Sequence, residues 1–415
     1  MFGKERVAVM TDIWTRVNQL AAQLGEEGVK SEDRFPIIVQ SGALNQVAAF
    51  LSEQSYERVS IVADANTYEI AGKALEASLT EKGISTNLTL IQPNKQGDVI
   101  ADEVSLIQLI MDLQQYSAQV VVAAGSGTLH DISRYSAYTA GIPFISVPTA
   151  PSVDGFNSKG APIIIRGEKK TIAAIGPDAI FADLDILVKA PAPMVAAGFG
   201  DMLGKFTSLF DWKFGSLVAG EPYSQLVATI TRNALQKCVD HQDSIAKRSQ
   251  EGIQTLIEAL IESGIAMMIL GQSHPASGAE HHLSHYWEME YIQLGKRQLL
   301  HGAKVGVACA EIAALYHQIA ESGLSPKAAQ MDSGEAADIS TTDVQAAIVS
   351  HWKEIQTEIG RIPNAQALRE MLHKVGGPTT PEQLGVDPEL LARSLQEAHN
   401  VRRNRYTLLR AHNEI

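Results

Sequence analysis

From Pro36 to Leu184 short apolar runs alternate with amphipathic stretches, and beyond Asp185 apolar residues recur at spacings of three and four. The first rhythm predicts parallel βαβ units and the second predicts helices. Expected strands are Pro36 to Gln40, Val59 to Ala63, Thr86 to Ile91, Val120 to Ala123 and Phe144 to Val147. Their lack of a polar side implies a sheet covered by helices on both faces. Pro162 to Ile165 and Thr171 to Ile175, parted by a charged turn at Gly167 to Lys170, read as a hairpin. Near the start, Ile13, Val17, Leu20 and Leu24 fall on one helical face, which packs on the α/β layer or on another subunit.

The resulting fold class is α/β: an N-terminal Rossmann-like parallel-sheet domain, then an all-helical C-terminal domain, with the site in the cleft between them. Residues 1–188 hold the N-terminal helix and the nucleotide-binding layer, and residues 189–415 hold the metal- and substrate-binding helices. Lys189 to Pro193, with two prolines, suits a stiff hinge. A length of 415 residues agrees with more than one domain at roughly 150 residues each.

Composition narrows the partners. With 45% hydrophobic and 20% charged residues the chain is globular, and its net charge of −13 disfavours nucleic acid. Cys238 and Cys309 lack CxxC spacing and read as buried hydrophobes. Met1 to Arg6 does not open a signal peptide, and the apolar run from Ile265 to Gly271 is too short to span a bilayer. A cytoplasmic protein without membrane insertion is expected.

Three segments of the sheet region suit a nucleotide. The run from Val120 enters Gly125-Ser126-Gly127-Thr128 and then a helical stretch, which places backbone amides where a phosphate can sit. The same turn also serves as a plain connector. Val147 to Ser158 follows a strand and is rich in hydroxyl and small side chains, with Thr149, Ala150, Ser152, Asp154 and Ser158 in it. Asp64 ends another strand, where it suits a ribose hydroxyl or a helix cap equally.

Metal-binding types gather further on. Asp201 stands among small and apolar residues, a costly place for an uncompensated carboxylate. His281 and His285, four apart, share a helical face, and His301 opens an apolar helix. Singly, each is an ordinary surface or core residue. Together they suit a divalent ion of the zinc or nickel kind with positions open for substrate.

Pro148 to Gly155, Gly200-Asp201 with Phe210 to Lys213, Ala276 to His281, and the arginine-rich end Arg402 to Thr407 together resemble the sn-glycerol-1-phosphate dehydrogenase family. That family stands within the wider group of dehydroquinate synthase, glycerol dehydrogenase and iron-type alcohol dehydrogenases. The likeness runs from about Pro36 to the C-terminal end. It implies Asp201, His281 and His301 as metal ligands, with His285 and Asp154 facing substrate. The adjacent His282 is set aside because His281 has the four-residue spacing to His285. The resemblance also implies that Gly127 to Asp131, including Thr128 and Asp131, and Thr149 to Ser152 hold the nucleotide, with Ser158 as a further contact. The N-terminal helix and the long gap from His281 to His301 fit the bacterial branch, in which nickel is a candidate metal.

The implied activity is NAD(H)- or NADP(H)-dependent reduction of dihydroxyacetone phosphate to sn-glycerol 1-phosphate, by a homodimer or larger homo-oligomer. His285, or a metal-bound water linked to it, is expected to supply the proton. Lys159, Lys205, Lys213 and Arg297 are the cations considered for the phosphate. The alternatives are a polyol dehydrogenase without phosphate specificity, a dehydroquinate-synthase-like lyase, and a nucleotide-binding regulator without catalysis.

Overall fold

Strands β1 (Ile37–Gln40), β2 (Arg58–Ala63), β3 (Ser85–Leu90), β4 (Val120–Gly125) and β5 (Phe144–Pro148) form where the hydrophobic pattern places them. The computed structural model describes residues 12–324 and 341–415, so the Met1 to Arg6 segment lies outside the described residues. A hairpin follows, β6 (Gly160–Ile165) and β7 (Glu168–Ala173), and then β8 (Ala179–Asp183). All but the hairpin join one parallel sheet in the order β1-β8-β5-β4-β2-β3.

In β4 the alternation of the pleat is visible directly. Val120, Val122 and Ala124 enter one core while Val121 and Ala123 enter another, so both faces are dry. The chain leaves β2 toward β3 on one side and leaves β4 toward β5 on the other. A crevice therefore opens outside the carboxyl ends of β2 and β4, the usual ligand position in such sheets.

Two local expectations change. β8 is absent from the strands expected above because Ala179 to Asp183 holds a single β-branched residue, Ile180; pairing between β1 and β5 and full burial make it a strand. The hairpin turn is Arg166-Gly167, both with positive φ, at 51° and 77°. That is the two-residue turn whose twist matches its strands, and it places Lys169 inside β7 instead of in the turn.

From Leu184 onward the described residues are helical. The expected hinge is the start of a helix: Pro191 is the N-cap of Ala192–Leu203 and Pro193 lies in its first turn, where a missing N–H costs nothing. Ile37, Val39, Ile180 and Ala182 of the sheet share a core with Val195, Phe199, Leu256 and Leu260 of the helices. The Ile265 to Gly271 run closes the helix Gln250–Leu270, which by length and composition alone is apolar enough to cross a membrane. Here Ile253, Leu256, Ile257 and Leu260 are buried in the protein core. The N-terminal helix Asp12–Leu24 lies mainly on the helical part, with Val17 and Ala21 against Leu209, Trp212 and Val227; Leu24 is exposed.

One helix crossing bears directly on the site. A Cβ on Gly200 would stand 2.4 Å from the Gly302 carbonyl oxygen, and one on Gly302 would stand 1.9 Å from that of Ala197. Only glycine permits the helices Ala192–Leu203 and His301–Ser322 to touch backbone to backbone.

Candidate metal and nucleotide site

Asp201 ends one of these touching helices and His301 begins the other, while His281 comes from the first turn of the helix Ala279–Gln293. One donor atom from each of Asp201, His281 and His301 lies within 4.8 Å of the other two. Asp201 is fully buried, and burial and the neighbouring Asp154 carboxylate push its carboxyl up to about 7, against the pull of Lys205. Burial first, and then Lys205, hold the His281 imidazole neutral. Its Nδ1 lies 2.7 Å from Glu280 Oε1. The same carboxylate accepts from Gly278 N and Thr207 Oγ1, so the ring donates through Nδ1 and leaves the Nε2 lone pair toward Asp201, 3.7 Å from Oδ1. An imidazole oriented by a carboxylate beside a strained buried acid fits a divalent cation.

Lys205, one turn after Asp201, is buried between two carboxylates, 2.8 Å from Asp154 Oδ2 and 3.3 Å from Asp201 Oδ1. Asp154 also accepts from Ser263 Oγ at 2.7 Å, and its backbone N–H donates to Asp201 Oδ2 at 2.9 Å. Burial pushes the Asp154 carboxyl up, yet Lys205 outweighs it and holds the group below its ordinary value. Lys205 is thus committed to protein carboxylates and is not the free cation considered for a phosphate. Lys213 and Arg297 are committed as well, to Glu354 at 3.5 Å and Asp98 at 2.7 Å.

His285 stands on the same helical face as His281, its ring centre 6.0 Å from that of His301. With Glu288 and His301 it forms a second close set of donors. Glu288 is already held by Lys169 at 2.8 Å and Lys304 at 3.0 Å, so that set is an ion-pair cluster bordering the first. Lys169 reaches it from the hairpin, joining the sheet part to the helices across the cleft.

The glycine turn lies at the crevice. Helix Gly127–Ala140 has Ser126 as an extended N-cap whose side chain makes no capping bond, leaving its first amides open to an anion. A Cβ on Gly125 would meet the Leu129 side chain at 2.3 Å, and one on Gly127 would meet Val153 at 2.7 Å. The Gly125 carbonyl accepts from Thr149 N at 2.9 Å, which fixes the turn against the Thr149, Ala150 and Ser152 loop. Thr128 lies in the first turn of the helix.

The structure gives other sequence candidates protein partners. Asp131 pairs with the buried Arg134 at 3.2 Å, and Arg134 also donates to the carbonyls of Gly155, Phe156 and Gly160. Ser158 Oγ donates to Gly155 O at 3.1 Å. Asp64 caps a helix, Oδ1 accepting from Asn66 N and Thr67 N at 2.8 Å each. Sequence reasoning missed Glu280, Glu288 and Lys169. Glu280 was marked only by its place beside His281, and Lys205, considered above for the phosphate, carried the signal of its actual pairing in its i,i+4 relation to Asp201.

Comparison with known proteins extends this picture. A family model described as iron-containing alcohol dehydrogenase matches residues 38–191. The chain is 47% identical over 383 residues to a glycerol-1-phosphate dehydrogenase [NAD(P)+] of Geobacillus thermodenitrificans, covering 91% of this chain and 92% of that one. It is 42% identical to a protein of the same description from Bacillus subtilis, covering 92% and 93%. The glycerol dehydrogenase structure from Schizosaccharomyces pombe superposes with a TM-score of 0.63 at 20% identity, covering 91% of this chain and 84% of that one, a likeness of fold.

Proposed function

The chain belongs to the glycerol-1-phosphate dehydrogenase family, in its bacterial branch, and from that membership we propose that it interconverts dihydroxyacetone phosphate and sn-glycerol 1-phosphate with NADH or NADPH. The observation that carries the reading onto a site is the convergence of Asp201, His281 and His301 within 4.8 Å, beside the cleft that faces the glycine turn. The division at residues 188 and 189 belongs to this reading, with nucleotide on the sheet side and substrate on the helical side.

Bound by Asp201, His281 and His301, a divalent metal, nickel or zinc, would polarise the substrate carbonyl. The amides of Gly127 and Thr128 would hold the dinucleotide phosphates, with Gly125 allowing close backbone approach, and Thr149, Ala150 and Ser152 would line its path. Asp131, Ser158 and Asp64 act there through the protein partners described above. Held there, the reduced nicotinamide would supply a hydride, with its electron pair, to the C2 carbon, and the C2 oxygen would take up one proton. His285, on the substrate side of His301, passes that proton. Asp154, kept anionic by Lys205, orients a substrate hydroxyl. Lys169 and Glu288 close the cleft and keep water from the transferred hydride. A cytoplasmic homodimer or larger homo-oligomer completes the reading, with light scattering as the check on its assembly.

The deciding experiment supplies dihydroxyacetone phosphate and NADH or NADPH to protein stripped and reloaded with nickel or zinc, and resolves the product chirally. Formation of sn-glycerol 1-phosphate is expected. Only the opposite enantiomer, or no product with either metal and either nucleotide, overturns the reading.

A further inference from the structure

The C-terminal arginine segment has no task in the mechanism above, yet the fold fixes it against the metal-ligand helix. Asp211 Oδ1 accepts from Leu408 N at 3.0 Å and from Tyr316 Oη at 2.7 Å, and Glu221 Oε1 accepts from Tyr406 N at 2.6 Å. Thus anchored, the segment sends Arg402 and Arg405 inward and leaves Arg403 exposed. Arg405 Nη1 donates to Ser277 O at 2.6 Å, and its Nε lies 3.5 Å from Glu221.

Arg402 differs from every other cation near the histidines. Lys205 lies between Asp154 and Asp201, and Lys169 and Lys304 share Glu288, but Arg402 has no carboxylate partner among the described residues. Its Nη1 donates only to two hydroxyls, Ser273 Oγ at 2.9 Å and Ser277 Oγ at 3.2 Å. Ser277 immediately precedes Gly278, the N-cap of the helix that holds His281 and His285. Beside the two arginines the His282 ring is 1% exposed, with both nitrogens lacking a hydrogen-bond partner. The carbonyl of Ala276, next to Ser277, accepts from Lys205 Nζ at 3.1 Å, the lysine that bridges Asp154 and Asp201. A guanidinium without an anion, two hydroxyl groups and an unpartnered buried imidazole make a built anion pocket next to the proposed reaction centre.

We propose that Arg402, with Ser273, Ser277 and His282, binds the phosphate of the substrate, so that discrimination between the phosphorylated and the free three-carbon ketone resides in the C-terminal segment. This rests on the reading of the active site given above. A guanidinium fork matches two phosphate oxygens at once, which an ammonium cannot. Lys205, Lys169 and Lys304 are each paired with a carboxylate, whereas Arg402 has no such pairing among the described residues.

The test compares dihydroxyacetone phosphate with dihydroxyacetone for metal-loaded wild type, Arg402→Gln and Arg402→Lys, with inorganic phosphate as an inhibitor. For Arg402→Gln the KM for the phosphorylated ketone should rise about 100-fold while that for NADH holds, and inhibition by phosphate should disappear. Arg402→Lys, which keeps the charge and the fold but not the fork, should fall between. An equal loss on both ketones, or phosphate inhibition that survives in Arg402→Gln, overturns the assignment. Wild type that does not prefer the phosphorylated ketone overturns the functional reading instead.

Discussion

Glu280 and His281, adjacent in sequence, are joined side chain to side chain by a 2.7 Å hydrogen bond from Nδ1 to Oε1. The bond fixes the tautomer in which Nε2 faces Asp201. Glu280→Gln would present an amide that can turn its donor to the ring and release it. Metal affinity should fall about 10- to 100-fold, read by competition with a chelating dye, while the far-ultraviolet circular dichroism stays that of the wild type.

Gly302→Ala places a methyl group 1.9 Å from the Ala197 carbonyl oxygen and 3.1 Å from Asp201 Cβ. Backbone cannot yield there as a side-chain tip does. Unfolding in urea should show a loss of about 1–3 kcal/mol, and metal affinity should fall with it. Unchanged stability and affinity would mean that the helices part freely.

Glu288 carries a signed pH dependence. Burial raises its carboxyl, but Lys169 and Lys304 outweigh burial and hold it well below the ordinary 4.5. A depressed acid stabilises the fold above its unfolded pKa, and that contribution is lost as pH falls through the folded one. Glu288→Gln leaves two lysines without their carboxylate and should cost about 3 kcal/mol at pH 7. The gap from wild type should begin to narrow below about pH 4.5, measured as urea midpoints across a pH series.

Asp64 offers a contrast. Since Oδ1 already accepts two backbone N–H groups, Asp64→Ala should cost about 1 kcal/mol of stability through loss of the cap. The ratio of NADH to NADPH turnover should not move by more than about twofold, within the scatter of a small binding change. A large swing toward NADPH would show that the carboxylate meets the ribose.

β1, β2, β4 and β5 were legible because burial on both faces writes apolar runs directly into the sequence; β3 and the hairpin, more exposed, were legible from β-branched residues and a glycine turn. β8 was not, since Ala179 to Asp183 owes its pairing to β1 and β5, which lie far away in the chain. Asp201, His281, His285 and His301 were legible as residue types with helical spacing. Their surroundings were not. Lys205 between two aspartates, Lys169 on Glu288 and Arg402 beside Ser277 all depend on contacts across the fold, where local pattern carries no information. The tight turn at Arg166-Gly167, in place of a four-residue turn at Gly167 to Lys170, sets Lys169 in β7 opposite Ile164, from where it reaches Glu288.

Where Gly200 meets Gly302, the distance between the Asp201 and His301 side chains is set by main chain against main chain. The bite offered to a cation is therefore nearly fixed before any cation arrives. Loading would then quiet side chains without moving helices, and ions of similar radius would compete on donor preference and exchange rate instead of on fit. Altering which ion such a protein keeps would require new donor atoms; lengthening or shortening the span would have to break the crossing first.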